Sequence, residues 1–179
     1  LVRIMTPKKE QILWGKNGAE KWNVAHGAWD ALPPLIAPAV ELAKSEGKTL
    51  VVETGNGTMV NSNYTARLLI DQLDARETLK VLWDPGNNCW CHEEAFPAGY
   101  NEVKDGYLGH IHIKDVLVDT PRAKLEVKQL GKGQLAPYFR PMANALRKDG
   151  YDGVVSFESV YHPGDGNFEQ GFRDSIALF

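Results

Sequence analysis

The chain has 179 residues, 43% of them hydrophobic and 24% charged, a balance that excludes a disordered or fibrous protein and leaves enough chain to bury a sizeable core. A formal net charge of −3 and a pI near 6.0 remove any general pull toward nucleic acid or an anionic membrane surface. No apolar run approaches the roughly 18 residues that mark a membrane span, and the first residues carry no signal-peptide pattern. The two cysteines, Cys89 and Cys91, are too few for a disulfide framework and point to a reducing compartment, hence a cytoplasmic location.

Apolar, β-branched runs alternate with helical patterns along the chain. The expected strands are Val2–Met5, Leu50–Val52, Leu79–Leu82, Leu108–Ile113 and Val154–Phe157, each short and bounded by glycine, proline or polar residues. Between them, Ala28–Ser45 reads as a helix with a proline pair near its start and Gly47 after its end. Pro38 should kink that helix or mark its true beginning. Ser62–Leu73 puts Ala66, Leu69, Ile70 and Leu73 on one face, with Asn61 or Ser62 as cap. Pro137–Lys148 carries Phe139, Met142, Ala143 and Leu146 at similar spacing, and Phe168–Phe179 closes the series. The opening on a strand at Leu1 and the close on an uncapped helix read as clipped ends of a longer protein. Five strands separated by helices describe a parallel sheet, and both a doubly wound sheet and a slice of a (βα)8 barrel fit. No Gly-x-Gly-x-x-Gly and no phosphate-binding Gly-Lys-Ser/Thr loop supports a nucleotide fold.

Chemistry concentrates at the strand ends. Glu53 follows Leu50-Val51-Val52, Asp84 follows Val81-Leu82-Trp83, His112 lies in His110-Ile111-His112, and Glu158 follows Val154-Val155-Ser156-Phe157. Sites in parallel βα folds lie at the carboxyl ends of the strands. Taken singly, each carboxylate reads as a helix cap or ion-pair partner, and the histidine as a hydrogen-bonded core residue. Recurrence at four successive strands favours one shared site instead. Three carboxylates and an imidazole suit Mn²⁺ or Mg²⁺ best, with Co²⁺ or Zn²⁺ also compatible. Without a cation, the carboxylates would repel and some would protonate.

Around these four, His110 lies one strand period from His112 and points the same way, as a substrate contact or as a brace for its neighbour. Asn56 and Asn87 sit just past ligand positions, within reach of substrate hydroxyls or simply in turns. Lys114 is assigned either to a substrate carboxylate or phosphate or to Asp115. Cys89-Trp90-Cys91-His92 lacks the second half of a zinc site, and with Phe96 and Tyr100 it reads as a loop over the barrel mouth. His162 stands in a Pro-Gly-rich loop beyond Glu158. His26 precedes a helix, and Trp14 and Trp22 flank a Gly- and Lys-rich loop suited to a lid or a subunit contact.

Five blocks occur in order: Glu53-Thr-Gly-Asn, Trp83-Asp-Pro-Gly-Asn87, Gly109-His-Ile-His-Ile-Lys-Asp115, Gly131-Lys-Gly133 and Gly150-Tyr-Asp-Gly-Val-Val-Ser-Phe-Glu158. Together they resemble the xylose-isomerase-like TIM barrel superfamily of sugar phosphate isomerases and epimerases. The resemblance covers nearly the whole chain, as strands four to eight of a (βα)8 barrel whose N-terminal part is missing. Residues 1–179 would then be a single domain, closed by about 80–120 further residues, at about 30–40 per βα unit, or by a partner chain or second copy. It implies Glu53, Asp84, His112 and Glu158 as metal ligands, with Glu53 and Glu158 doubling as the acid/base pair. The histidine that ketose 3-epimerases and endonuclease IV tend to carry three residues after the aspartate is Asn87 here. The epimerase arginine after strand seven and the endonuclease's Asp-x-His ligands have no match. The resemblance implies a metal-dependent isomerase or epimerase of a small sugar, sugar phosphate or hydroxy-ketone acting through an enediolate. The alternatives are an inosose- or dehydroshikimate-type dehydratase and a catalytically silent sugar-binding barrel. The expected partner is a small carbohydrate-like molecule, with neither nucleic acid nor membrane.

Overall fold

A computed structural model describes residues 1–8, 29–158, 160–164 and 166–177. His26, Trp14, Trp22 and the expected helix start at Ala28 lie outside the described residues, as does Phe179. Thirteen strands and α-helices follow one another among those described: β1 (Val2–Met5), α1 (Leu32–Ser45), β2 (Leu50–Glu53), α2 (Asn63–Gln72), β3 (Leu79–Trp83), α3 (Pro85–Trp90), α4 (Tyr100–Val103), β4 (Leu108–Ile113), β5 (Asp115–Asp119), β6 (Lys124–Lys128), α5 (Phe139–Lys148), β7 (Val155–Phe157) and α6 (Phe168–Ile176).

The five expected strands form one parallel sheet in the order β1-β2-β3-β4-β7. That order never reverses, so the sheet has no topological switch point. A doubly wound fold requires one, and a barrel does not. The architecture is therefore a half-barrel of parallel strands with helices against it. β2 is buried along its whole length and β3 nearly so, as central strands covered on both faces are. The outermost strands are different: Val2 and Met5 of β1 and Val155 of β7 are exposed. The sheet is open at both edges among the described residues, as a slice of a barrel must be.

Helix starts follow local chemistry. In α1 the pair Pro33-Pro34 lies in the first turn, where missing N–H groups cost nothing, and the helix then runs through Pro38, so Pro38 does not mark its beginning. Leu32, Ile36, Val40 and Ala43 form its buried stripe. Ser62, rather than Asn61, caps α2: its hydroxyl accepts the Thr65 N–H, and the Thr65 hydroxyl accepts the Ser62 N–H, a reciprocal capping box. Ala66, Leu69 and Ile70 pack into the core, with Leu73 partly buried beside them. In α5 the inward positions are Met142, Phe139 and Leu146, whereas Ala143 is exposed and Ala145 turns inward in its place.

The β5–β6 hairpin is not among the strands expected from the sequence. It is antiparallel, pairs Val116 with Val127 and Val118 with Leu125, and stands as a separate two-stranded sheet. It is tied to the end of β4 by Asp115. The expected loop over Cys89 is instead the short helix α3, whose first residue is Pro85.

Candidate metal centre

Four side chains converge at the carboxyl end of the sheet. Glu53 is the last residue of β2, Asp84 follows β3, His112 is the penultimate residue of β4, and Glu158 follows β7, with its N–H donating to Ile113 O at 3.0 Å. One ligand atom from each lies within 4.8 Å of the others. Parallel register makes the convergence: Met5 lies beside Glu53, Leu82 beside His110, and His112 beside Ser156. Successive strand ends are thereby brought to one rim.

Burial sharpens the electrostatics. Glu53 and Asp84 are almost wholly removed from water, His112 is mostly covered, and Glu158 is the most exposed of the four, at 25%. Asp84 Oδ1 accepts the Asn87 N–H at 3.0 Å, capping α3, while Asp84 Oδ2 faces Lys114 Nζ at 2.8 Å. Glu158 Oε2 accepts from the same ammonium at 2.5 Å. Glu53 pairs with Arg3, and Glu53 Oε1 stands 3.2 Å from His112 Nδ1. Burial pushes the Asp84 carboxyl up to about 6, against the pull of Lys114 and with a push from Glu158. For Glu158 burial works upward too, but the Lys114 ammonium outweighs it and holds the carboxyl below its ordinary value. Burial opposes the charge on Lys114, and the two carboxylates overcome it and raise its pKa.

The donor set matches a divalent ion on its own terms. Glu53 Oε2, Asp84 Oδ2 and His112 Nδ1 are all buried and are met by Arg3, Lys114 and Glu53 respectively. Three carboxylates and an imidazole gathered this closely form a group that could hold a divalent ion, with Arg3 and Lys114 supplying part of the positive charge.

The remaining candidates divide. The sequence leaves His110 open to a substrate contact or a brace, and in the structure its Nε2 meets Ser156 Oγ at 3.0 Å while its ring stands edge-on to His112. Burial, then the neighbouring His112, lower its pKa. Asn87 has little left for a substrate hydroxyl, because its amide donates to Thr54 O at 2.7 Å and its carbonyl accepts from Lys114 at 2.8 Å. Asn56 is exposed at the tip of the turn closed by Thr58 N–H donating to Gly55 O, apart from the cluster's hydrogen bonds. Lys114 does not pair with Asp115. Neighbours along an extended chain point to opposite sides, and Asp115 faces the backbone amides of Val116, Gly131, Gly133 and Leu135. His162 serves its own loop, accepting from the Gly164 and Gly166 N–H groups. Cys89 is buried and, among the described residues, neither thiol joins a cluster of three or more ligands. Sequence reasoning missed Arg3, although a lone charge inside the apolar run Val2-Arg3-Ile4-Met5 was the available signal.

The model of the xylose isomerase-like TIM barrel family matches residues 8–179. This chain belongs to that family. Solved structures agree on the fold of this family member. The 3-keto-D-glucoside 4-epimerase of E. coli superposes with a TM-score of 0.61 at 24% identity, over 86% of this chain and 53% of that one. A D-psicose 3-epimerase solved in the presence of D-fructose gives 0.62 at 19%, over 86% and 55%. The probable 3-DHS dehydratase of Bacillus anthracis gives 0.67 at 13%, over 98% and 62%. The chain thus spans little more than half the length of these structures. No curated protein matches it. No helix among the described residues is long and apolar enough to cross a membrane.

Proposed function

We propose that this chain carries the metal centre of a divalent-metal-dependent isomerase or epimerase acting on a small sugar, sugar phosphate or related hydroxy-ketone. The observation that carries the reading is the convergence of Glu53, Asp84, His112 and Glu158, one ligand atom of each within 4.8 Å of the others. A bound Mn²⁺ or Mg²⁺ would polarise a substrate carbonyl and its neighbouring hydroxyl, making the intervening C–H acidic. Asp84 and His112 serve as ligands only, because Asp84 is walled in by Lys114 and Asn87 and His112 by Glu53 and His110. Glu53 and Glu158 approach from different strands and serve as the proton-transfer pair. Glu158, held ionised by Lys114 and partly open to solvent, is the better placed to take a carbon-bound proton. Isomerisation would need only Glu158 to hand the same proton on to the neighbouring atom, whereas epimerisation would need Glu53 to enter protonated and deliver its own proton to the opposite face, leaving Glu158 protonated until it exchanges with solvent. Fold likeness to a probable dehydratase as well as to epimerases leaves lyase chemistry as the second reading, since loss of a hydroxyl begins with the same proton removal.

The test is solvent exchange. Ketoses and inosose-like ketones are incubated with the full chain and Mn²⁺ in D₂O and followed by NMR. Deuterium entering the carbon beside the carbonyl, abolished by EDTA and by Glu158→Gln, supports isomerisation or epimerisation. Net loss of water moves the assignment to a dehydratase. Saturable sugar binding with neither exchange nor turnover overturns the enzymatic reading in favour of a binding barrel.

A further inference from the structure

Lys114 is the least expected member of the site. It is 5% exposed, yet its ammonium touches Asp84 Oδ2, Glu158 Oε2 and Asn87 Oδ1 within 2.5–2.8 Å. Its place is built by α3. The Trp90 ring lies with its centroid 4.7 Å from Nζ, and a Cβ on Gly86 would come within 2.7 Å of Lys114 Cγ and 2.8 Å of Cε. Gly86 does not adopt a positive φ, so its backbone does not demand glycine. The lysine stem accounts for the missing side chain. Asp84 Oδ1 already accepts the Asn87 N–H, which leaves Oδ2 the freer of its two oxygens. That freer oxygen is the one that Lys114 already holds.

We propose that Lys114 is a resident counter-cation, a positioning residue that holds Asp84 and Glu158 together when no metal is bound and competes with an incoming divalent ion for Asp84 Oδ2. The inference rests on the metal reading given above. With Arg3 on Glu53, two cationic side chains already face three carboxylates. The site therefore holds an exchangeable ion, more weakly than its four ligands alone would.

The test compares full-length wild type and Lys114→Met by Mn²⁺ titration and by thermal melts in EDTA. Removing the lysine harms the metal-free state most, so linkage requires a lower melt in EDTA together with Mn²⁺ binding tighter by about tenfold or more. A merely structural lysine would not raise metal affinity. Should Lys114→Met fail to fold, Gly86→Ala decides: it displaces the lysine stem while keeping its charge and is expected to tighten Mn²⁺ binding to a lesser degree. Equal or weaker Mn²⁺ binding by a folded variant, with wild type binding normally, overturns the role of Lys114 alone. Wild type that is folded and binds no Mn²⁺ overturns the metal reading and this inference with it.

Discussion

Asp84 and Asp115 are both wholly buried, and both stand just past the end of a strand of the parallel sheet. Their surroundings differ completely. Asp115 accepts four backbone N–H groups, from Val116 and Leu135 on Oδ1 and from Gly131 and Gly133 on Oδ2, and so fastens the β5–β6 hairpin and the Gly131-Lys-Gly133 loop to the sheet. Asp84 accepts one backbone N–H, its second oxygen meets the Lys114 ammonium, and the Glu158 carboxyl lies against it. A fully satisfied buried carboxylate is architecture. One that relies on a neighbouring ammonium and stands beside two further carboxylates is a place that a divalent cation could take over.

The largest effect should come from removing the satisfied partner. Asp115→Ala strands four backbone donors, those of Val116 and Leu135 fully buried, and is expected to cost about 3–5 kcal/mol, lowering the melting temperature by roughly 10 °C. A variant that melts like wild type breaks the comparison at its root. Asp84→Asn should do the reverse. The amide keeps an oxygen to cap α3, so stability should change by less than about 1 kcal/mol, while Mn²⁺ affinity falls by about 100-fold or more. Calorimetry and metal titration on one preparation separate the two effects, and a large loss of stability with unchanged Mn²⁺ affinity would make Asp84 a second Asp115. Gly133→Ala sharpens the architectural side, because its Cβ would overlap Asp115 Oδ1 and the Val116 carbonyl oxygen. About 1–3 kcal/mol is the expected cost in a chemical denaturation midpoint, without change in Mn²⁺ affinity.

The smallest effect is chemical. Cys89 feels both aspartates: burial pushes its thiol up to about 11, with the Asp115 and Asp84 charges adding to the rise and a hydrogen bond from Gln134 opposing it. At pH 8 native Cys89 should alkylate roughly 100-fold more slowly than an exposed thiol, read by mass spectrometry of the peptide carrying it. Rapid labelling would mean that Cys89 is open to solvent and not held among the buried aspartates.

Sequence pattern made much of this visible, and the failures have physical reasons. β1 and β4 were legible to the residue and the other parallel strands to within a residue or so, because each is a short run rich in apolar or β-branched residues bounded by glycine, proline or polar residues. The four converging side chains were legible from position, each sitting at or beyond a strand's carboxyl end. Which neighbours satisfy them was not. Lys114 and Asp115 are adjacent in sequence, and their opposite charges invite pairing, but the extended chain throws one toward the carboxylates and the other toward the amide nest. Arg3 reaches Glu53 across a strand pairing that brings residues about fifty positions apart together, a contact no local pattern encodes. The β5–β6 hairpin did leave a signal, in the alternation of Val116 and Val118 with Leu125 and Val127, but its strands follow a parallel strand directly and are easily taken for a loop.

The central claim, one divalent ion among Glu53, Asp84, His112 and Glu158, is most directly tested by anomalous diffraction from crystals of the full chain grown with Mn²⁺. The account predicts a single strong anomalous peak per chain, with ligand atoms of these four residues at about 2.0–2.6 Å. An ordered site with no peak among them, or with the manganese held elsewhere, would contradict it.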